Sequence, residues 1–412
     1  MRRRSWGVVG FLAWWALLAA GLGAGTLGQG QLPVDYRSYV EAAIRANATG
    51  SPYTTTDAAA AAWREIHRAS VARFDGGEGT AVPGPYIYPP TLALLLAPGP
   101  GVAVVYLALL AAAAAALGLL WRWSAGLRSP WWLLALALSP DLLAVFAGGN
   151  AEIVVLALAF AAPWLVWQGR GLLAAPLAAL ALLIKPHAIL IFLAVGALGL
   201  RGDPRRRRAV WWAVGLGAAL MALEALRWPP EARADAWAYL LDPMAYQYFA
   251  LPPAEQWPMS HWNRAPVQSL VALGLSPELA QALMLSLFAA VVAAASLARP
   301  SPRFGAVFAL AYTLYIAVKP VTWSLPLFEV VVLGALWPQL GTWGRRAAAL
   351  LALALALSHW VAFGLFAAAR HPGLLTLQSP AVPWETALVL PGAVLLCLYA
   401  VASRLRPEAK AR

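Results

Sequence analysis

Asp35 stands directly behind the first long apolar run of the chain, in Val34-Asp35-Tyr36-Arg37-Ser38-Tyr39. A carboxylate at such a boundary has its pKa raised by desolvation or held low by a cation such as Arg37. Placed beside a hydroxyl, it suits general-base work. The same position suits a helix N-cap, which needs only an oxygen that accepts a backbone N–H. Local sequence leaves both open. Two lysines precede prolines, in Lys185-Pro186-His187 and Lys319-Pro320, each at the end of an apolar run. A lysine near membrane depth is costly and often functional. Its natural partner there is a lipid phosphate, and the plainer alternative is a snorkelling anchor. Asp141 in Ser139-Pro140-Asp141 and Asn150 with Glu152 in Gly148-Gly149-Asn150-Ala151-Glu152 place two carboxylates and an amide near the ends of apolar runs. They should face a polar cavity, unless Asn150 serves only to start the span behind it. His261 stands in a polar stretch and either touches substrate or is structural. His359, inside an apolar run, reads as a core residue.

The elements that must position these groups are long apolar segments. The chain is 61% hydrophobic and 12% charged with a mean hydropathy of +0.67, whereas soluble domains run near 45–50% apolar and about 25% charged. Apolar runs of about 20 residues recur, the length that crosses a hydrocarbon core of ~30 Å. Twelve crossings are expected, near 6–27, 101–123, 130–147, 150–168, 171–185, 187–200, 208–227, 276–298, 304–318, 321–340, 346–369 and 383–404. The first is read as an uncleaved span rather than a removed signal. Several of the 21 tryptophans stand at span ends, where an indole meets the headgroups.

The formal net charge is +12, but the basic residues do not form a nucleic-acid surface. They sit in short clusters between apolar runs, among them Arg2 to Arg4, Arg205 to Arg208 and Arg345-Arg346. With the N-terminus inside, these clusters are cytoplasmic, and of the 18 acids only Asp203 and Glu408 share that side. That is the positive-inside pattern, and it puts both termini in the cytoplasm. Cys397 is the one cysteine, so no internal disulfide or Cys/His metal spacing exists.

The fold class expected is an all-α polytopic membrane protein, one multi-span domain over 1–412 with two long extracytoplasmic loops. The first, 28–100, contains two amphipathic helices. Val34–Asn47 puts Tyr36, Tyr39, Val40, Ala43 and Ile44 on one side, and Ala58–Phe74 spaces Trp63, Ile66, Ser70 and Phe74 for a helix. Both are expected to lie on the membrane surface. A half-helix follows at 90–97, after Tyr88-Pro89. The second loop spans 228–275.

These pieces together resemble glycosyltransferase family 87 of the GT-C superfamily. The resemblance rests on Asp35-Tyr36-Arg37-Ser38-Tyr39 with Gly50-Ser51-Pro52-Tyr53, on Tyr88-Pro89-Pro90, on Gly148-Gly149-Asn150, which resembles a Gly-Gln-x-Asn element, and on Ile184-Lys185-Pro186. Gln268-Ser269 resembles Asn-Gln-Ser, and Lys319-Pro320-Val321-Thr322-Trp323 resembles Ser-Pro-x-Ser-Trp. Order and spacing carry it across most of the chain. Three departures stand out. Gly149 occupies a common Gln position, residues 54–83 enlarge the first loop, and Ser324 follows Trp323 where the family often has His, which leaves open whether His261 takes that role.

The resemblance implies an enzyme that uses polyprenyl-phosphate sugars, mannose or a related pentose or hexose, at the extracytoplasmic face of the plasma membrane, with no metal or other cofactor. Asp35 would deprotonate the hydroxyl of a glycolipid or glycan acceptor for an inverting attack. Lys185, Arg264 and Lys319 would neutralise the donor phosphate. Tyr36, Tyr39, Tyr88, Asp141, Asn150, Glu152, His187, His261, Gln268 and Trp323 would line the substrates. Two other classes fit the span count: a twelve-span secondary transporter and a lipid-linked polysaccharide polymerase or ligase. The segment Arg122–Ser129 lacks the acidic-basic signature of a major-facilitator carrier, and no similarity between halves is visible.

Overall fold

A computed structural model of the chain describes residues 34–74, 84–96, 105–113, 149–199, 203–256, 263, 265–297, 304–322, 336–337, 340–351 and 390–402, with a few isolated positions besides. Among these residues the structure is helical, without strands. The expected spans 6–27 and 130–147, and most of 321–340 and 346–369, lie outside the described residues.

Three helices come from the first loop: α1 (Val34–Thr49), α2 (Thr56–Phe74) and the short α3 (Pro90–Leu96). The bundle proper contains α4 (Glu152–Trp167), α5 (Gly171–Ile184), α6 (Ile189–Gly199) and α7 (Pro204–Arg227). The second loop contributes α8 (Pro230–Leu241) and α9 (Pro266–Ala272), with single 3-10 turns between them. Then follow α10 (Pro277–Leu297), α11 (Phe304–Val318) and α12 (Leu390–Ala402).

Proline sets the helix ends that matter. The residue before a proline is pushed out of the α region by its ring. Pro186 therefore leaves Lys185 extended, at φ −140° and ψ 101°, just beyond the end of α5. α11 likewise stops at Val318, two residues before Pro320. Both lysines thus hang from helix ends rather than helix sides. A 3-10 turn over Pro186–Ala188 reverses the chain into α6.

α5 and α7 run side by side in the same direction, so closely that a Cβ on Gly171 would strike the Ala209 carbonyl. α4 and α6 run the other way. α11 is the innermost helix, buried from Phe304 to Val318 except at Gly305, and packs on α6, α10 and α12. Along it Phe304, Phe308, Tyr312 and Tyr315 form a continuous aromatic ladder, joined by Phe160 of α4. The starts of α4, α6 and α10 and the ends of α5, α7 and α11 gather at one end of the bundle, and the loop helices close over it.

α7 and α10 are long and apolar enough to cross a membrane, and only 11% and 22% of their apolar windows are buried. The core helix of a soluble protein would be hidden, whereas these present Leu223, Leu226, Leu283 and Leu287 outward. Four further apolar helices are shorter.

The face of α1 differs from expectation in one residue. Tyr36, Tyr39, Ala42, Ala43 and Ala46 are buried against the bundle end, whereas Ile44 is 63% exposed. The helix packs on protein, chiefly α3, and its seam follows the tyrosines and alanines. In α2, Trp63 is buried, with Ile66 packed beside it, and the indole N–H donates to the Tyr246 carbonyl at 2.9 Å.

Candidate active site

Four charged groups from four separate segments meet at that end of the bundle. Asp35, in the first turn of α1, accepts a hydrogen bond from Asn150 Nδ2 at 3.2 Å. The Asn150 amide oxygen accepts from Lys185 Nζ at 3.2 Å and from the Glu152 backbone N–H at 2.9 Å. Lys185 forms a close ion pair with Glu152 Oε2, and Lys319 Nζ pairs with Glu152 Oε1 at 3.3 Å. Tyr315 donates to the same Oε1 at 3.2 Å. Asp35, Asn150, Lys185, Glu152 and Lys319 therefore form one chain of contacts, with two negative and two positive charges in balance.

Aromatic rings wall it. Lys185 Nζ lies 5.1 Å from the Tyr88 ring centroid and Lys319 Nζ 5.2 Å from that of Tyr315, distances at which a ring face attracts a cation. Tyr39 packs edge-on to Tyr88, and its hydroxyl accepts the Ala151 N–H at 3.3 Å. The His187 ring stacks on Tyr315 with centroids 6.4 Å apart. Tyr36 is buried beneath, against Tyr106.

Gly149 lets Asn150 reach this position. Its φ is +66°, a region disfavoured for residues with a Cβ. An added Cβ would also stand 2.9 Å from Tyr36 Cβ and 3.0 Å from Tyr106. Glutamine at this position would meet both obstacles, which accounts for the departure from the family pattern in steric terms.

Asp35 is half-buried. Burial pushes its carboxyl above the ordinary value of 3.8, while the Asn150 hydrogen bond and the nearby Lys185 charge pull it back. Arg37 pairs instead with Glu41, one turn along, at 3.0 Å. Among the described residues, Asp35 lies in the first turn of α1.

Gln268 lies in α9, one shell away. Tyr248 OH donates to its Oε1 at 2.5 Å. The buried Asn263 donates to Tyr248 OH at 2.7 Å and to the Pro320 carbonyl at 3.0 Å, and it accepts the Thr322 N–H at 2.8 Å. Asn263 thereby pins the Lys319-Pro320 segment to the second loop. Asp141, His261, Arg264 and Trp323, like His359, lie outside the described residues.

Sequence reasoning missed Tyr315 and Asn263. Tyr315 stands four residues before Lys319, one helical turn away on the same side, a spacing that carried the signal. Asn263 had none beyond its place beside His261. No group of three or more His, Cys, Asp or Glu side chains among the described residues could hold a metal ion.

The model of glycosyltransferase family 87 matches residues 86–321, more than half of the chain. The chain belongs to glycosyltransferase family 87. No curated protein and no solved structure matches it. Within this family member the matched region runs from Tyr86 to Val321 and so takes in Asn150, Glu152, Lys185 and Lys319, while Asp35 lies before it. Family and exposed apolar helices together make it a membrane glycosyltransferase.

Proposed function

We propose that the protein transfers a sugar, mannose or a related pentose or hexose, from a polyprenyl-phosphate donor to a hydroxyl of a lipid or glycan acceptor. Asp35 takes the acceptor proton. The freed oxygen bonds to the anomeric carbon from the face opposite the phosphate, and the carbon–oxygen bond to phosphate breaks with its electron pair on the phosphate, so configuration inverts. Lys185 and Lys319, with Arg264, hold the leaving phosphate. Charge stabilisation at that oxygen is the main catalytic need, and two lysines supply it without a metal. The setting is a single membrane domain of about twelve spans in the plasma membrane, with both termini cytoplasmic and the site at the extracytoplasmic end.

The observation that carries this reading is the Asp35–Asn150–Lys185–Glu152–Lys319 chain, a carboxylate raised by burial joined to two cations at a helix-bundle end. Membrane depth supports it. α5 has 14 residues, about 21 Å at 1.5 Å per residue, so Lys185 at its end falls short of a ~30 Å hydrocarbon thickness. That is where a polyprenyl phosphate can present its headgroup while its tail stays in lipid.

The test is donor turnover by the full chain in nanodiscs with polyprenyl-phosphate mannose and extracted envelope glycolipids. Stoichiometric release of polyprenyl phosphate with glycosylated acceptor is expected. Recovery of intact donor on either side of reconstituted vesicles would overturn the transferase in favour of a carrier.

A further inference from the structure

The end of the bundle remote from Lys185 has a groove of about 890 Å³ between the start of α5 and the first turns of α7. Arg207, Arg208, Trp211 and Trp212 line it, with Leu172 and Leu216. It is separated from Lys185 by the length of α5, about 21 Å, and lies apart from the contact chain that carries the transferase reading.

The run Arg205 to Arg208 is divided between two tasks. Arg206 lies over the Trp167 ring at 4.0 Å and pairs with Asp203 at 3.3 Å. Arg205 lies against Gly169, where a side chain would collide with it. These two fasten the 168–170 turn to the start of α7. Asp203 also accepts the backbone N–H groups of Arg205 and Arg206 as the helix cap, so the nearest acid is fully engaged. The Arg207 and Arg208 side chains make no hydrogen bond or ion pair with any described residue, although the Arg207 backbone N–H bonds the Asp203 carbonyl at 3.1 Å. Beside them Trp211 is 75% exposed and Trp212 55%. Two guanidinium groups with no side-chain partner among the described residues thus stand at the rim of an indole-lined, apolar slot.

We propose that this groove binds the headgroup of an anionic membrane phospholipid. The phosphate sits between Arg207 and Arg208, and the glycerol and first acyl carbons lie along Leu172, Trp211 and Leu216. Guanidinium forks match phosphate oxygens, indoles favour the headgroup level, and basic clusters at the start of a spanning helix attract anionic lipid. The apolar wall distinguishes a lipid from a free anion, which would find no use for it.

The experiment measures thermal unfolding of the full chain in phosphatidylcholine nanodiscs, with and without added phosphatidylglycerol. Phosphatidylglycerol is expected to raise the wild-type midpoint by about 3 °C or more. The double variant Arg207→Gln/Arg208→Gln should match wild type in phosphatidylcholine alone and lose most of that gain. A full gain in the double variant overturns the proposal. An equal gain from inorganic phosphate in phosphatidylcholine discs also overturns it, because the site would then read a free anion. If the double variant does not fold, native mass spectrometry of wild type from mixed discs decides. Enrichment of phosphatidylglycerol on the protein over the supplied ratio is expected, and retention in the supplied ratio refutes it.

Discussion

The two ends of the bundle carry cations in opposite circumstances. At one, Lys185 and Lys319 are almost enclosed, and each is paired to Glu152. At the other, Arg207 and Arg208 stand open beside exposed tryptophans, with no described acid to neutralise them. A buried cation without a partner costs several kcal/mol, whereas an exposed one costs little. The first end therefore holds its charges in balance before any substrate arrives. The second is free to exchange whatever anion the surroundings offer. Removing one charge at the paired end should be severe, and removing one at the open end mild.

The largest effect is expected at Asp35. Asp35→Asn keeps an amide oxygen for the Asn150 donor but cannot take a proton. Turnover should fall about a hundredfold to ten-thousandfold in a protein that folds normally. The pH dependence of stability has a defined sign. Burial raises the folded-state pKa of Asp35 above 3.8, so the group favours the folded state when protonated, below that value. This contribution is lost as pH rises through the raised pKa. Asp35→Asn should accordingly melt no lower than wild type at pH 7, and any advantage should vanish below pH 3.8. Near-normal transfer by Asp35→Asn would remove Asp35 as the base.

Next in size is the pairing itself. Glu152→Gln leaves Lys185 and Lys319 facing each other, and unfolding stability without donor should drop by about 3 kcal/mol. A bound phosphate supplies the missing charge, so saturating polyprenyl-phosphate donor should restore more stability to the variant than it adds to wild type. Equal donor shifts in both proteins would argue that the phosphate binds elsewhere. Lys185→Ala should weaken donor binding, and Lys185→Arg should keep part of it. Unchanged donor affinity in Lys185→Ala would reduce the residue to an anchor.

A smaller effect is expected where a backbone shape is the contribution. Gly149→Ala places a Cβ at φ +66° and within 2.9 Å of Tyr36 Cβ. The left-handed conformation alone costs about 1–2 kcal/mol, and relief of the contact must move Asn150. Stability should fall by that amount, and turnover should drop to the extent that the shift displaces Asn150. A fully active, fully stable Gly149→Ala would show that Asn150 need not be held.

What the sequence made legible follows the range of the forces involved. Local signals located α1 and α3 within a few residues, because proline and the spacing of aromatic residues act over one or two turns. Lys-Pro identified two lysines at helix ends for the same reason. The meeting of Asp35 with Asn150 is a contact across more than a hundred positions, closed by packing of α1 onto the bundle. Each residue could be suspected, but no local pattern says that Asn150 bridges Asp35 to Lys185. Ile44 was misjudged because an apolar residue on a membrane protein's helix has two apolar places to go, lipid and core. Tyr315 was legible in principle from its spacing to Lys319; Asn263 was not, since its partners are backbone groups from another loop.

The smallest expected effect tests Gln268. Its sequence context suggested substrate contact, whereas its Oε1 accepts from Tyr248 OH, whose oxygen in turn accepts from Asn263. Asn263 holds the Pro320 carbonyl and the Thr322 N–H, so among the described residues Gln268 is linked to the Lys319 segment through Tyr248 and Asn263. Gln268→Ala removes the hydrogen bond that Tyr248 OH donates to Gln268. The loss of a half-buried neutral hydrogen bond costs about 1 kcal/mol, and Asn263 still has its backbone partners. The expected result is a slightly lower melting temperature, turnover within about twofold of wild type and unchanged KM for donor and acceptor. Asn263→Ala should do more, because it releases the Lys319-Pro320 segment and so weakens donor phosphate binding. The ordering of the two variants separates the readings. If Gln268→Ala raises the KM for either substrate more than Asn263→Ala does, the glutamine touches substrate directly, and the active site extends beyond the Asp35–Lys319 chain into the second loop.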